Sequence, residues 1–496
     1  MSVYKRKQEG NRIIFLEREQ REQIGFSFII DTLQIMTPYG EELKKSIEPF
    51  KNKYELECEF INLESIIKSV QSNKKEIEEL ERAFCKVKDI RKTIERLKGN
   101  IIMDEVELYE IKYFSLLIEE IIAVYKRLNL SISTISFQAL EAVVELLDPD
   151  KKRLSTFYIY ESYSYKLKEI RYEKAKLEEK LFKEKDIEKQ KILKAHRLSV
   201  VVSEQEEEAF VRKQLTEKLK AYGEIIERDI KALGKLDFLI AKGKLALKYK
   251  ACKPLINDDS YINFKKMFNP EVAEILERKH KEFTAIDIEL VSGVTVITGA
   301  NMGGKSVALK TILLNLLLGQ CGFYVFSEEA YFPVLDFTYF ISDDLQSVSQ
   351  GLSTFGAEIV KVKEAANKVK KKNGLIVLDE FARGTNPKEG FYLVKSLCKY
   401  LSMHKTISII STHYDGVVEE NMVHYQVMGL RNVNFELLKH KIDVNKTKSI
   451  DILQEHMDYR LEKVKEKQQV PKDALNIATL LGLQEEIINI AKSYYD

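Results

Sequence analysis

Proline and cysteine are scarce in this chain: 496 residues hold eight prolines and five cysteines. Proline removes a backbone donor and clashes with the preceding helical turn, so its scarcity leaves long stretches in which helices can run unbroken. The cysteines are Cys58, Cys85, Cys252, Cys321 and Cys398. They show no CxxC spacing, and the seven histidines form no metal-ligand cluster, so neither a disulfide framework nor a zinc site is expected. Reduced, mostly buried thiols in a cytoplasmic protein are the expectation. The polar, basic start, Met1 to Arg12, has no apolar h-region of a secretory leader. The longest apolar run, Ile312 to Leu318, is interrupted by Asn315 and is far too short to span a membrane. Charge of one sign is lacking too. With 79 basic and 77 acidic residues the net charge is +2, so any surface for nucleic acid must be local.

What is present suits a large protein of several domains. A hydrophobic fraction of 45% supports substantial cores, and a charged fraction of 31% points to long solvated helices. Helical periodicity fills residues 13 to 250. Residues 22 to 48 read as a helix, a break at Thr37-Pro38-Tyr39-Gly40, and a second helix. Between residues 62 and 128 an apolar stripe runs through Ile66, Ile67, Val70, Ile77, Leu80 and Phe84. Residues 166 to 196 differ: eleven are basic and seven acidic, around a thin seam of Leu167, Ile170, Leu177, Leu181 and Ile187. A seam that narrow suits a helix with one partner, as in a coiled-coil arm, or a plain solvated face. After residue 250 short β-type runs appear at Thr295 to Thr298, Tyr324 to Phe326, Leu375 to Leu378 and Thr406 to Ser411. Helical segments alternate with them, which indicates an α/β domain over about residues 280 to 440. Residues 470 to 495 read as two short helices joined at Gly482.

The chemistry concentrates in that α/β region. Residues 299 to 306 read Gly-Ala-Asn-Met-Gly-Gly-Lys-Ser, the P-loop spacing, between a β-type run and a helix pattern. Backbone N–H groups of such a loop, with the helix N-terminus behind them, cradle phosphates. Gly303 and Gly304 permit close approach, Lys305 would reach the β- and γ-phosphates, and the Ser306 hydroxyl would ligate Mg²⁺. The buried-strand run Leu375 to Leu378 ends in Asp379 and Glu380. Asp379 would complete the Mg²⁺ shell and Glu380 would orient or deprotonate the attacking water. Ser411-Thr412-His413 follows another apolar run, and His413 at that strand end can sense the γ-phosphate. Leu352-Ser353-Thr354-Phe355 with Glu358 reads as a helix N-cap whose free hydroxyls could also bind phosphate.

These pieces, in this order, resemble the ATPase domain of the MutS family, a branch of the ABC-type ATPases. Gly299, Asn301, Met302, Gly303, Gly304, Lys305 and Ser306 match its loop. Gln346 and Ser347, then Ser353 and Thr354, match the segment that follows. Asp379, Glu380, Gly384 and Thr385 match its Asp-Glu and Gly-Thr elements, and Thr412 and His413 its Thr-His pair. The resemblance implies a homodimer with two composite sites for ATP and Mg²⁺, in which Ser353 and Thr354 of one subunit face the nucleotide of the other. It further implies an α-helical core and lever/clamp arm, then an α/β P-loop ATPase domain and a short helical C-terminal tail. The boundaries would be a helical core over residues 1–150, a charged clamp arm over 151–230, return helices over 231–279, the ATPase domain over 280–440, and a dimerisation tail over 441–496. No mismatch-reading N-terminal domain or C-terminal nuclease domain is seen in the sequence. Asn269-Pro270-Glu271 stands where the family usually has a His-Pro pair, and Val307 where it has a threonine. Two partners fit. One is duplex DNA, recognised by phosphate contacts and shape. The other is a cobalamin-dependent aminomutase, because Val307 to Thr311, Gly351 to Glu358 and Ala382 to Pro387 are similar to a MutS-like subgroup. That subgroup contains the ATPase subunit of a lysine aminomutase reactivating factor, which exchanges damaged cobalamin.

Overall fold

The computed structural model describes residues 15–153, 156–299, 304–342, 354–369, 373–430, 433, 438, 456–464 and 473–494. The chain divides into two compact units. One comprises Gln34–Ile47 and Asn62–Lys244, the other Met1–Leu33, Glu48–Ile61 and Leu245–Asp496.

Elements are numbered in chain order. Helices α1 (Arg18–Gln23) and α2 (Phe26–Asp31) belong to the second unit, and α3 (Pro38–Lys45) to the first. The Thr37–Gly40 tetrapeptide, expected as a break, is the start of α3. Thr37 accepts from the Gly40 N–H, and Pro38 takes the first helical position, where its missing donor costs nothing. Helices α4 (Lys53–Ser72), α5 (Lys74–Phe84), α6 (Arg91–Lys98), α7 (Glu105–Arg127) and α8 (Glu141–Leu147) follow. Ile66, Ile77, Leu80 and Phe84 are buried along the expected stripe. A capping box at Asp104 and Glu107 starts α7.

Helices α9 (Tyr165–Lys183) and α10 (Ile187–Leu219) pair antiparallel. Near one end Arg171 bridges Glu204 at 3.0 Å and Glu208 at 2.8 Å, and Ser164 donates to Glu207 at 2.7 Å. Further along, Arg197 pairs with Glu178 at 2.6 Å. Leu167 and Leu177 are buried as the seam requires, but Ile187 is 70% exposed and Phe182 91%. Ile187 is the first residue after the Asp186 cap, at the hairpin's tip, where no second layer covers it. Helix α11 (Gly223–Lys248) closes the helical unit. Its Asp237 accepts from the Thr37 N–H and Oγ1, both at 2.7 Å, and from the Met36 N–H at 3.1 Å.

The second unit holds two sheets among its described residues. The strands are β1 (Leu255–Asn257), β2 (Tyr261–Met267), β3 (Ile286–Val291), β4 (Gly293–Thr298), β5 (Glu329–Pro333), β6 (Phe337–Ser342), β7 (Gly374–Asp379), β8 (Ile407–Ser411), β9 (Val423–Gly429) and β10 (Asp458–Lys463). A four-stranded sheet runs β1-β5-β2-β3, and a six-stranded sheet runs β10-β9-β4-β8-β7-β6. The larger sheet is parallel except for its β10 edge. Strand β3 alternates buried and exposed residues, as one covered face demands, while β4, β6, β7 and β8 are buried throughout, as parallel strands between two layers are. Tyr324 to Phe326, expected as a strand, forms only a bridge from Val325 to Cys252, and the strand starts later, at Glu329.

Helix α12 (Pro270–Glu277) precedes β3, and α13 (Lys305–Gln320) follows β4. Helix α13 is buried along most of its length, with contacts to β7 and β8 and a close approach of Gly319 to Phe332 of β5. Helices α14 (Thr354–Lys368) and α15 (Pro387–Ser402) share a core with the strands. Val294, Val296, Ile376 and Leu378 meet Ala365, Val394 and Leu401 there. Helices α16 (Asp473–Leu480) and α17 (Glu485–Ser493) join through Gly482, whose φ is +83°. Of the five thiols only Cys321 and Cys398 are buried, and Cys85 is exposed, so the expectation of mostly buried thiols is corrected. No described helix is long and apolar enough to cross a membrane.

Candidate nucleotide site

Strand order builds the site. In a parallel sheet the C-terminal ends of neighbouring strands lie along one edge, and ligands gather there. Strands β4, β8 and β7 are consecutive neighbours. Ile297 is in register with Ser411, and Ser411 with Asp379. Asp379 lies 80 positions and His413 114 positions beyond Gly299 along the chain, so they have no local reason to meet. The sheet alone brings Gly299, Asp379, Glu380 and His413 to one edge.

Gly299 follows β4 with φ +140°. Gly304 has φ +89° and caps α13, a left-handed conformation that a side chain would strain. The aromatic ring of Tyr459 on β10 lies against it, so a Cβ at Gly304 would stand 3.0 Å from Tyr459 Cδ1. Lys305 opens the helix and is buried. Its ammonium donates to the Gly299 carbonyl at 2.8 Å and stands 3.4 Å from Glu380 Oε1. Burial pulls the Lys305 pKa down, and the neighbouring Glu380 and Asp379 charges oppose that pull. A buried cation at a helix N-terminus is a place prepared for an anion. Ser306 follows in the first turn, half-buried.

Asp379 ends β7 and is buried. Its Oδ1 accepts from the Ser411 hydroxyl at 2.6 Å, and Ser411 Oγ in turn accepts from the Glu380 N–H at 3.0 Å. Glu380 follows with φ +49° and meets Arg383 at 2.7 Å as well as Lys305. His413 lies just past β8 with its ring against Tyr414, centroids 4.3 Å apart. The ring keeps an exposed edge, yet the crowded strand ends partly desolvate it and push its pKa below the ordinary imidazole value. Glu380 opposes that shift, and Lys305 and Arg383 reinforce it.

Of the residues expected from sequence, Gly299, Gly304, Lys305, Ser306, Asp379, Glu380 and His413 are therefore described. Asn301, Met302, Gly303, Gln346, Ser347 and Ser353 lie outside the described residues. Thr354 opens α14, and its side chain lies outside them also. Sequence reasoning missed three partners. Ser411 was legible only as part of the Ser-Thr-His run, not as the link between Asp379 and Glu380. Tyr459 is remote in sequence from Gly304, and no local pattern could reveal it. His424 Nε2 lies 2.7 Å from Thr298 Oγ1, directly ahead of the loop, and only the β4–β9 pairing puts it there. Asn269, flagged for its unusual setting, caps α12 by accepting from the Glu271 and Val272 N–H groups.

Residues 295–494 match the family model MutS domain V. Over that region the chain is similar to the MutS family. It is 32% identical over 298 residues to Endonuclease MutS2 of Caldanaerobacter subterraneus subsp. tengcongensis, covering 59% of this chain and 34% of that protein. It is 33% identical over 295 residues to Endonuclease MutS2 of Caldicellulosiruptor bescii, with the same shares covered. The protein of that name from Bacillus velezensis is 32% identical over 297 residues, 59% of this chain and 34% of the relative. The chain thus spans about a third of the length of the curated relatives it matches.

Proposed function

We propose that this chain binds ATP with Mg²⁺ and hydrolyses it, working as a cytoplasmic homodimer that uses the cycle to close and open on duplex DNA. One observation carries the ATPase reading: the buried Lys305 and Asp379 and the half-buried Glu380 converge at the end of β4, β7 and β8 around a helix N-terminus. The donor set fits the substrate. Lys305 takes the β- and γ-phosphates, Ser306 and Asp379 hold Mg²⁺, Glu380 positions and deprotonates water, and His413 registers the γ-phosphate. Mg²⁺, when bound, neutralises triphosphate charge. Gly299, Asn301, Met302, Gly303 and Gly304 line the phosphates with their backbone, and Ser353 and Thr354 complete the site of the other subunit.

The domain roles follow the same reading. Residues 1–150 act as helical core and lever, 151–230 as the clamp arm, 231–279 as the return, 280–440 as the ATPase and 441–496 as the dimerising tail. DNA as the partner is supported by the name endonuclease carried by the relatives, and by the basic excess of residues 166 to 196. A cobalamin-dependent aminomutase remains the second reading, favoured by the wording of Ala382 to Pro387.

The test compares ATP turnover alone, with branched or mismatched duplex over a salt series, and with an aminomutase carrying damaged cobalamin. Stimulation by DNA that fades as salt rises supports the clamp. Turnover indifferent to DNA, with no gel shift at low salt, removes it. Absence of any hydrolysis removes the ATPase reading itself.

A further inference from the structure

Glu380 and Ala382 both have left-handed backbone, φ +49° and +62°. Neither is glycine, so both conformations are strained and persist only where neighbours hold them. The neighbours are identifiable. Ser411 Oγ accepts from the Glu380 N–H at 3.0 Å. Tyr414 OH donates to the Ala382 carbonyl at 3.4 Å. From α14, Glu358 Oε2 accepts from the Ala382 N–H at 3.2 Å. Glu358 is 7% exposed and Ala382 is fully buried. The first two tethers come from β8 and the residues just after it, and only the Glu358 tether named here comes from the helix that begins at Thr354.

From sequence, Glu358 reads as the downstream acid of an N-cap. Its carboxylate reaches across to the turn that follows β7. A carboxylate placed inside the protein costs desolvation, which makes a purely local capping duty an expensive use of it. The turn it holds is the one that aims Glu380 between Lys305 and Arg383.

We infer that Glu358 is a positioning residue for hydrolysis: it fixes the left-handed turn at Glu380–Ala382 and ties the aim of Glu380 to helix α14. This inference rests on the ATPase reading above. Its effect passes through the backbone of Ala382. Displacement of α14 would then loosen the turn and misdirect Glu380, so hydrolysis would depend on where α14 sits.

The experiment measures kcat and KM for ATP, and affinity for a fluorescent ATP analogue, in wild type, Glu358→Asp and Glu358→Gln. Glu358→Asp keeps the charge but draws the carboxylate back by one methylene. It is expected to lower kcat by roughly tenfold or more while KM and analogue affinity stay within about threefold, because aim is lost and binding is not. Glu358→Gln, of the same length and still an acceptor, is expected to restore most of kcat. Wild-type kcat in Glu358→Asp, or a failure of Glu358→Gln to recover, overturns the inference. So does a parallel loss of kcat and analogue affinity, which marks general damage to the fold. If wild type hydrolyses ATP and Lys305→Ala does not, the ATPase reading stands whichever way Glu358 falls. If wild type does not hydrolyse ATP, both fall.

Discussion

Glu380→Gln should do two opposite things, and both follow from the same geometry. Lys305 stands 3.4 Å from Glu380 Oε1, with side chains only 4% and 12% exposed. At an effective dielectric of about 20, charges that close attract by roughly 5 kcal/mol. Desolvation of the two ions consumes most of this, leaving a net of about 1–2 kcal/mol. ATP must compete with that pair for the ammonium. With glutamine at 380 the competitor is neutral, so ATP affinity should rise by about 5- to 30-fold. The base is lost at the same time, so turnover should fall by about 10²- to 10⁴-fold. Titration with a fluorescent ATP analogue reads the first effect, and phosphate release under single-turnover conditions reads the second. Hydrolysis at the wild-type rate would refute the assignment of Glu380 as the base. Slow hydrolysis with weakened ATP binding would keep the base but refute competition between Glu380 and phosphate for Lys305.

Lys305→Ala should weaken ATP binding by roughly 10- to 100-fold, the worth of a charged hydrogen bond, and abolish hydrolysis while leaving the circular dichroism of the free chain unchanged. Gly304→Ala forces a side chain into φ +89° and to 3.0 Å from Tyr459. It should cost about 1–2 kcal/mol, read as a lowered midpoint in urea, and impair ATP binding. Desolvation holds the His413 pKa below the ordinary imidazole value, so any acid limb of the rate profile that depends on it should lie lower than a free imidazole's and vanish in His413→Asn. In the helical unit, burial raises Asp237 from 3.8 to about 6, although Thr37 and Met36 donate to it. A carboxyl raised in the fold contributes most below pH 3.8, and that contribution is lost as pH climbs through about 6. The difference in unfolding free energy between wild type and Asp237→Asn should accordingly shift in favour of wild type by about 2 kcal/mol on going from pH 7 to pH 4. A difference that does not vary with pH would show that Asp237 is not held at a raised pKa.

Local pattern made much of the fold legible. The apolar stripe through Ile66, Ile77, Leu80 and Phe84 is buried where helical spacing puts it. The runs at 295–298, 375–378 and 406–411 are strands of the larger sheet. Other elements were hidden for physical reasons. Strands β9 and β10 carry mixed polar and apolar residues, and they become strands through pairing at the sheet edge rather than by propensity. Tyr324 to Phe326 has strand composition, but there Phe326 packs on Tyr249 and Phe268, and Val325 makes a single bridge. The seam of the α9–α10 hairpin was read to Ile187, yet its burial stops before the tip, because periodicity cannot say where a partner ends.

By itself the sequence determined the ingredients of the site: a glycine-rich loop before a helix, a strand ending in Asp379-Glu380, and another ending at Ser411 before His413. Spacing along the chain is enough for that, since each motif is local and its chemistry follows from residue type. Tertiary structure alone decided that these motifs share one edge. Parallel pairing of β4, β8 and β7 sets Ser411 between Ile297 and Asp379, and packing lays Tyr459 on Gly304 and Glu358 under Ala382. Those contacts join residues from separate elements, and burial and backbone hydrogen bonding across the sheet, not local propensity, select them.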